Sequence, residues 1–147
     1  MADSDRRGTL LGAYENAAVI VSGIDAGELG HPTPCPKAWG DDSSLSLRHA
    51  MPWGEQYTGA TLVDMYLAEL AAHAWDLARA TGQAGKLDPS LALPALEGAR
   101  AMIKPQYRNM VAPGAPFGAE VSPPPGADDW ERLAAFMGRD PRASPGQ

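Results

Sequence analysis

No proline or interior glycine breaks the chain between Gly59 and Ala80, although the sequence holds 16 glycines and 14 prolines in 147 residues. In so punctuated a chain, an uninterrupted run of this length dictates a long helix, and shorter elements and loops must be arranged around it. Wound at ~100° per residue, the run places Leu62, Tyr66, Glu69, His73, Leu77 and Ala80 on one stripe, with Asp76 at its edge. That stripe is expected to face the core. A carboxylate and an imidazole on it need a partner there, because burying an unpaired ionised carboxylate is strongly unfavourable. A divalent metal would supply one.

Other elements follow from spacing and punctuation. Leu10, Tyr14, Ala17, Val21 and Ile24 recur at helical intervals, which predicts a helix from Gly8 to about Asp25, stopped by Gly27 and Gly30. His31 to Pro36 must then run extended, since each proline biases its predecessor away from helix. Ser44 to Met51 alternates partially, but Pro52-Trp-Gly54 follows at once, so this stretch reads as loop. The long helix should end at Thr81-Gly82. Asp88 caps and Pro89 opens a third helix that Pro94 threatens to kink and Lys104-Pro105 terminates. Gln106 to Gly126 reads as a long connection, and Asp128 or Asp129 opens a short fourth helix ending at Gly138. The expected organisation is one all-α domain spanning 1–147, with an ordered core over about 8–138 and a frayed tail at 139–147.

Composition excludes several function classes. A formal net charge of −6 with no basic cluster opposes binding to nucleic acid or anionic lipid. No apolar stretch reaches the length of a membrane span, and the first residues, Met-Ala-Asp-Ser-Asp-Arg-Arg, have no apolar signal region. A soluble cytoplasmic protein is expected. The single cysteine, Cys35, cannot form an intrachain disulfide. No phosphate-loop, dinucleotide or nucleophile-elbow pattern occurs.

Glu69 and His73, one turn apart, can both reach one ion from a single rigid helix. Carboxylate plus imidazole suits zinc, nickel, iron or manganese, and a tetrahedral site needs a third protein ligand from elsewhere. The plainer alternatives are a core histidine hydrogen-bonded to Glu69, or a helix rotated so that the pair lines a wet crevice. Asp76 can orient the imidazole, or pair with Arg79 or Arg100. His31, His49 and Cys35 lie on loops, where solvated or simply packed side chains are the ordinary case.

Three segments in order, Pro34-Cys-Pro36, Glu69-Leu-Ala-Ala-His73-Ala-Trp-Asp76-Leu-Ala-Arg-Ala-Thr-Gly82, and Ala135-Phe-Met-Gly-Arg-Asp-Pro141, resemble the DinB-like helical bundles of the mycothiol-dependent maleylpyruvate isomerase type. Met51-Pro-Trp-Gly54 and Val111 to Gly118 are similar to a subgroup known only as metal-binding proteins. The resemblance implies a four-helix bundle holding a divalent metal, commonly zinc, through one His and a Glu-x-x-x-His pair; for this chain zinc is expected first, with nickel as the alternative. Glu69 and His73 match that pair, with Asp76 and Tyr66 as supporting neighbours. It also implies a low-molecular-weight thiol such as mycothiol, activated at the metal for transfer or isomerisation.

The chain departs from that pattern after Lys37-Ala-Trp39, which runs almost directly into Gly40-Asp-Asp, so a shortened bundle lacking its second helix is expected. No residue matches the missing metal His. His49 is the nearest replacement by position. A shortened bundle leaves apolar surface bare, which predicts a homodimer whose subunits complete one another, by exchange of the first helix for example. The competing expectations are a module that has lost metal and catalysis and holds a small ligand beside Glu69 and His73, and a structural dimer in which the two residues pair with Tyr66.

Overall fold

The structure is a computed structural model that describes residues 7–22, 42–51, 54–108 and 117–143. Five α-helices are found among these residues: α1 (Arg7–Ser22), α2 (Asp42–Ser46), α3 (Gly59–Ala80), α4 (Pro89–Met102) and α5 (Asp129–Phe136). One two-stranded antiparallel sheet, β1 (Arg48–Ala50) with β2 (Gln56–Thr58), accompanies them. The protein is thus mostly helical, as its sequence implies, with one hairpin added.

Local chemistry sets the helix ends. The Thr61 backbone N–H donates to the Thr58 hydroxyl at the start of α3, and the Ser90 N–H donates to the Asp88 carboxylate at the start of α4. At α5, Asp128 and Glu131 form a reciprocal capping box. Pro94 lies inside α4, which continues through it from Pro89. The helix of Gly8 to Asp25 is observed as α1, where Leu10 and Ala13 are buried. The side chains at Tyr14, Ala17 and Val21, and all of Ile24 to Asp41, including His31, Cys35 and Trp39, lie outside the described residues.

Helix α3 packs against both α1 and α4, which also touch each other, and α4 packs in turn against α5. The core they share contains Val63, Leu67, Ala71 and Ala78 of α3, Leu91, Leu96 and Ala99 of α4, and Trp130 and Leu133 of α5. Alanines fill much of it, and small side chains let helix axes approach closely. Gly98 marks the close approach of α4 to α3: a Cβ there would lie 3.0 Å from the Asp64 carbonyl oxygen. Asn16 ties α1 to the α3–α4 connection, donating to the Lys86 carbonyl and accepting from the Asp88 N–H. The Trp130 indole N–H donates to the Asp88 carbonyl and fixes α5 over the same point.

Two expectations need correction. Ser44 to Met51 is not a loop, because it contributes the end of α2 and strand β1, and the chain reverses through Met51 and Glu55, whose backbone groups pair at 2.8 Å. The strands on either side of the turn signal after Met51 pair with each other, so it does not stop the sheet. Arg139 to Ala143 is not a frayed tail either: Arg79 donates to the Pro141 and Ala143 carbonyls, and Pro141 is buried. Charged side chains reaching backbone carbonyls hold the segment, a signal that hydropathy does not carry. The four residues after Ala143 lie outside the described ones. In the long connection, Arg108 donates to the Gly118 and Phe136 carbonyls and stacks 4.7 Å from the Phe136 ring centroid.

Candidate functional site

The middle of the stripe read from the long helix, Tyr66 to His73, faces outward, whereas Leu62 at its start is buried and Leu77 packs against the core. His73 exposes 67% of its side chain and Glu69 41%, and Tyr66 is also exposed. The buried face of α3 is formed by Val63, Leu67, Ala71, Ala74 and Ala78, roughly 140° round the helix from Glu69 and His73. The physical reason is packing. Apolar residues surround most of this helix, and the alanine face wins because α1 and α4 can approach it, whereas Tyr66 and His73 would hold them off.

The pair nevertheless stays together, with His73 Nε2 3.6 Å from Glu69 Oε2. On the other side, His73 Nδ1 is 3.5 Å from Asp76 Oδ2. The Asp76 carboxylate is not paired with Arg79 or Arg100, as the sequence suggested. It receives three hydrogen bonds from Arg139, at 2.7, 3.0 and 3.3 Å, and the same contact raises the Arg139 pKa above its ordinary value. His49 sits exposed on β1, opposite Tyr57 in the hairpin register. Among the described residues no three His, Cys, Asp or Glu side chains converge as a metal-binding group. Glu69 and His73 offer two donors, with Asp76 engaged by Arg139, which is one fewer than a zinc site takes from protein.

A cavity of about 550 Å³ opens beside the same helix, within the range of roughly 300–1,000 Å³ usual for small-molecule sites. Helix α3 supplies Met65, Ala68 and Glu69, and the end of α4 supplies Met102 and Ile103. Phe117 from the long connection and Met137 from the end of α5 close the apolar wall. Glu55 and Tyr57 of the hairpin and Tyr107 of a 3₁₀ turn add a polar edge. Both tyrosine hydroxyls donate to the Glu55 carboxylate, that of Tyr107 at 2.7 Å to Oε1 and that of Tyr57 to Oε2. Donation to a carboxylate favours the protonated phenol, so the Tyr107 pKa is pushed well above the ordinary tyrosine range.

Of the residues singled out in the sequence, only Glu69 lines this cavity. Sequence reasoning missed Glu55, Tyr57, Met65, Met102, Tyr107, Phe117 and Met137 as a group. They come from separate segments whose convergence no local periodicity encodes. The one available signal is the run after Pro52-Trp-Gly54, where Glu55 and Tyr57 are two residues apart and so able to share one side of an extended chain.

Uncharacterised proteins of two Mycobacterium tuberculosis strains are 41% identical to this chain over 98 residues, which is 67% of the chain and 52% of each relative. The chain spans about half the length of these curated relatives. No protein-family model and no solved structure matches it.

Proposed function

We propose that this protein binds a small, largely apolar molecule in the cavity between α3, the end of α4 and the β1–β2 hairpin. The observation that carries the reading is the cavity itself: one apolar chamber with a few polar groups gathered at one edge, the composition common to small-molecule sites. The framework we propose is a shortened DinB-like bundle, supported by the segments that resemble that family and by the α1–α3–α4–α5 packing. Titration with a polarity-sensitive naphthylamine dye tests the reading. Saturable fluorescence enhancement is expected, and Met102→Trp, which places bulk in the cavity, should abolish it while the thermal transition is kept. Dye binding unchanged in Met102→Trp removes the cavity as the site.

A second reading rests on Glu69 and His73, whose 3.6 Å separation on the solvent side of α3 suits a metal half-site. Completion would require a donor from residues 23–41 or from a second copy of the chain. With such a donor, Glu69 and His73 would hold a divalent ion, zinc or nickel, of the kind that thiol-dependent transferases and isomerases employ. Elemental analysis of protein purified without chelator or nickel resin, with His73→Ala beside it, decides between the readings. Stoichiometric metal lost on substitution favours the half-site, and metal-free wild-type protein removes it. A homodimer belongs to this proposal, supported by the exposed Leu11, Leu47 and Leu93. Light scattering that gives a monomer at micromolar concentration sinks it. Among the described residues, no helix is long and apolar enough to cross a membrane.

A further inference from the structure

The side chains described around the cavity accept hydrogen bonds and have no proton left to donate. Glu55 and Glu69 are carboxylates, and Met65, Met102 and Met137 carry thioether sulfurs, which are weak acceptors. Only Tyr57 and Tyr107 bring a hydroxyl proton, one each, and both protons go to Glu55. The Tyr107 hydroxyl donates to Oε1 at 2.7 Å and the Tyr57 hydroxyl to Oε2. Tyr107 holds its proton into alkaline solution, because the hydrogen bond to Glu55 raises its pKa. Its oxygen keeps acceptor capacity, and donation to a carboxylate polarises the phenol and strengthens that oxygen as an acceptor.

Each class of apolar ligand would meet this chamber differently. A ketone, ester or ether would bring an acceptor to side chains that only accept, and would give up its hydrogen bonds to water without replacement. A hydrocarbon would gain from the apolar wall alone. An apolar molecule with a hydroxyl or amide N–H would lay its body on Met65, Met102 and Phe117 and donate to the Tyr107 oxygen. We infer that the cavity selects apolar molecules bearing a hydroxyl or amide N–H over carbonyl and ether compounds of the same shape. The selection comes from the direction of the hydrogen bonds at the cavity's polar edge and needs no charge on the ligand. It rests on the small-molecule reading of the same cavity and goes further by naming the ligand's functional group.

Octan-2-ol and octan-2-one share one skeleton and one oxygen position, differ in the hydroxyl proton, and are both uncharged. Competition of each against the naphthylamine dye on the full chain gives the ratio of their affinities. Comparing that ratio between wild type and variants cancels their different solubilities in water. In Tyr107→Phe the preference for the alcohol should fall by about fivefold, the worth of one hydrogen bond, with the ketone unchanged. In Glu55→Ala the phenol protons are released, so the ketone should gain about threefold. An unchanged ratio in Tyr107→Phe overturns the selection and leaves the small-molecule reading standing. A ketone that gains nothing in a folded Glu55→Ala overturns the accounting of the phenol protons, and the selection with it. Wild-type protein that binds neither the dye nor either octyl compound overturns both readings.

Discussion

Arg139 clasps Asp76 across 63 residues of sequence, with Nη2 2.7 Å from Oδ2 and Nε 3.0 Å from Oδ1. The contact joins α3 to the segment beyond α5, and Arg79 adds two backbone carbonyls of that segment to the same junction. A stretch that composition marks as a tail is therefore part of the folded unit.

Removing either partner of this pair should lower stability by about 1 kcal/mol. The Arg139 and Asp76 side chains are 28% and 37% exposed, so solvent screening keeps the value at that low end for a two-point contact. Urea unfolding of Asp76→Ala, Arg139→Ala and the double variant checks it. Strict additivity of the two single effects would show that the residues do not interact.

Glycine is required where helix backbones meet. A Cβ on Gly59 would overlap the Ser44 carbonyl oxygen, and one on Gly98 would press on Asp64 of α3 at 3.0 Å. Gly98→Ala gains up to ~1 kcal/mol in helix propensity and still should lose about 1–2 kcal/mol net, with Gly59→Ala losing at least as much. Thermal or denaturant unfolding measures both, and a stabilised Gly98→Ala would contradict the close approach of α3 and α4.

The outward stripe makes a sharp contrast between two residues of one helix. His73→Ala should change stability by less than about 0.5 kcal/mol, because the side chain is largely in solvent. Leu67→Ala should cost roughly 2–5 kcal/mol, because Leu67 is fully buried. Equal losses at the two positions would restore the stripe read from sequence as the core face.

Tyr107 should behave abnormally at alkaline pH. Its folded pKa is raised by the hydrogen bond to Glu55, so the stabilisation is fully present below the unfolded value of 10.0 and is lost as pH rises through the higher folded value. Ultraviolet titration should show a tyrosine step displaced to higher pH. Glu55→Gln should bring that step back toward the ordinary tyrosine range, and an unchanged titration would separate Tyr107 from Glu55.

Much of the architecture was legible because it depends on local chemistry. The unbroken run gave α3 its bounds, Asp88-Pro89 opened α4, and Asp128 or Asp129 opened α5, where the structure selects Asp128, each through groups within one turn of the helix end. The hairpin escaped the sequence reading because a Pro- and Gly-containing break is equally compatible with the end of a strand and with a connection between two paired strands. The site was the least legible part. Glu69 reads in the sequence as a buried acid, and the structure places it half-exposed in the lining of a cavity.

The sequence by itself determined where α3, α4 and α5 begin and end, since caps, prolines and propensity act over a few residues, while the short α2 escaped it. Which face of α3 is buried was decided only in three dimensions. Apolar residues surround most of that helix, and the alanine face became the inside because it lets α1 and α4 pack closely. That choice turned Glu69 and His73 outward and brought Glu55, Tyr107, Met102 and Phe117, separated along the chain, around one chamber.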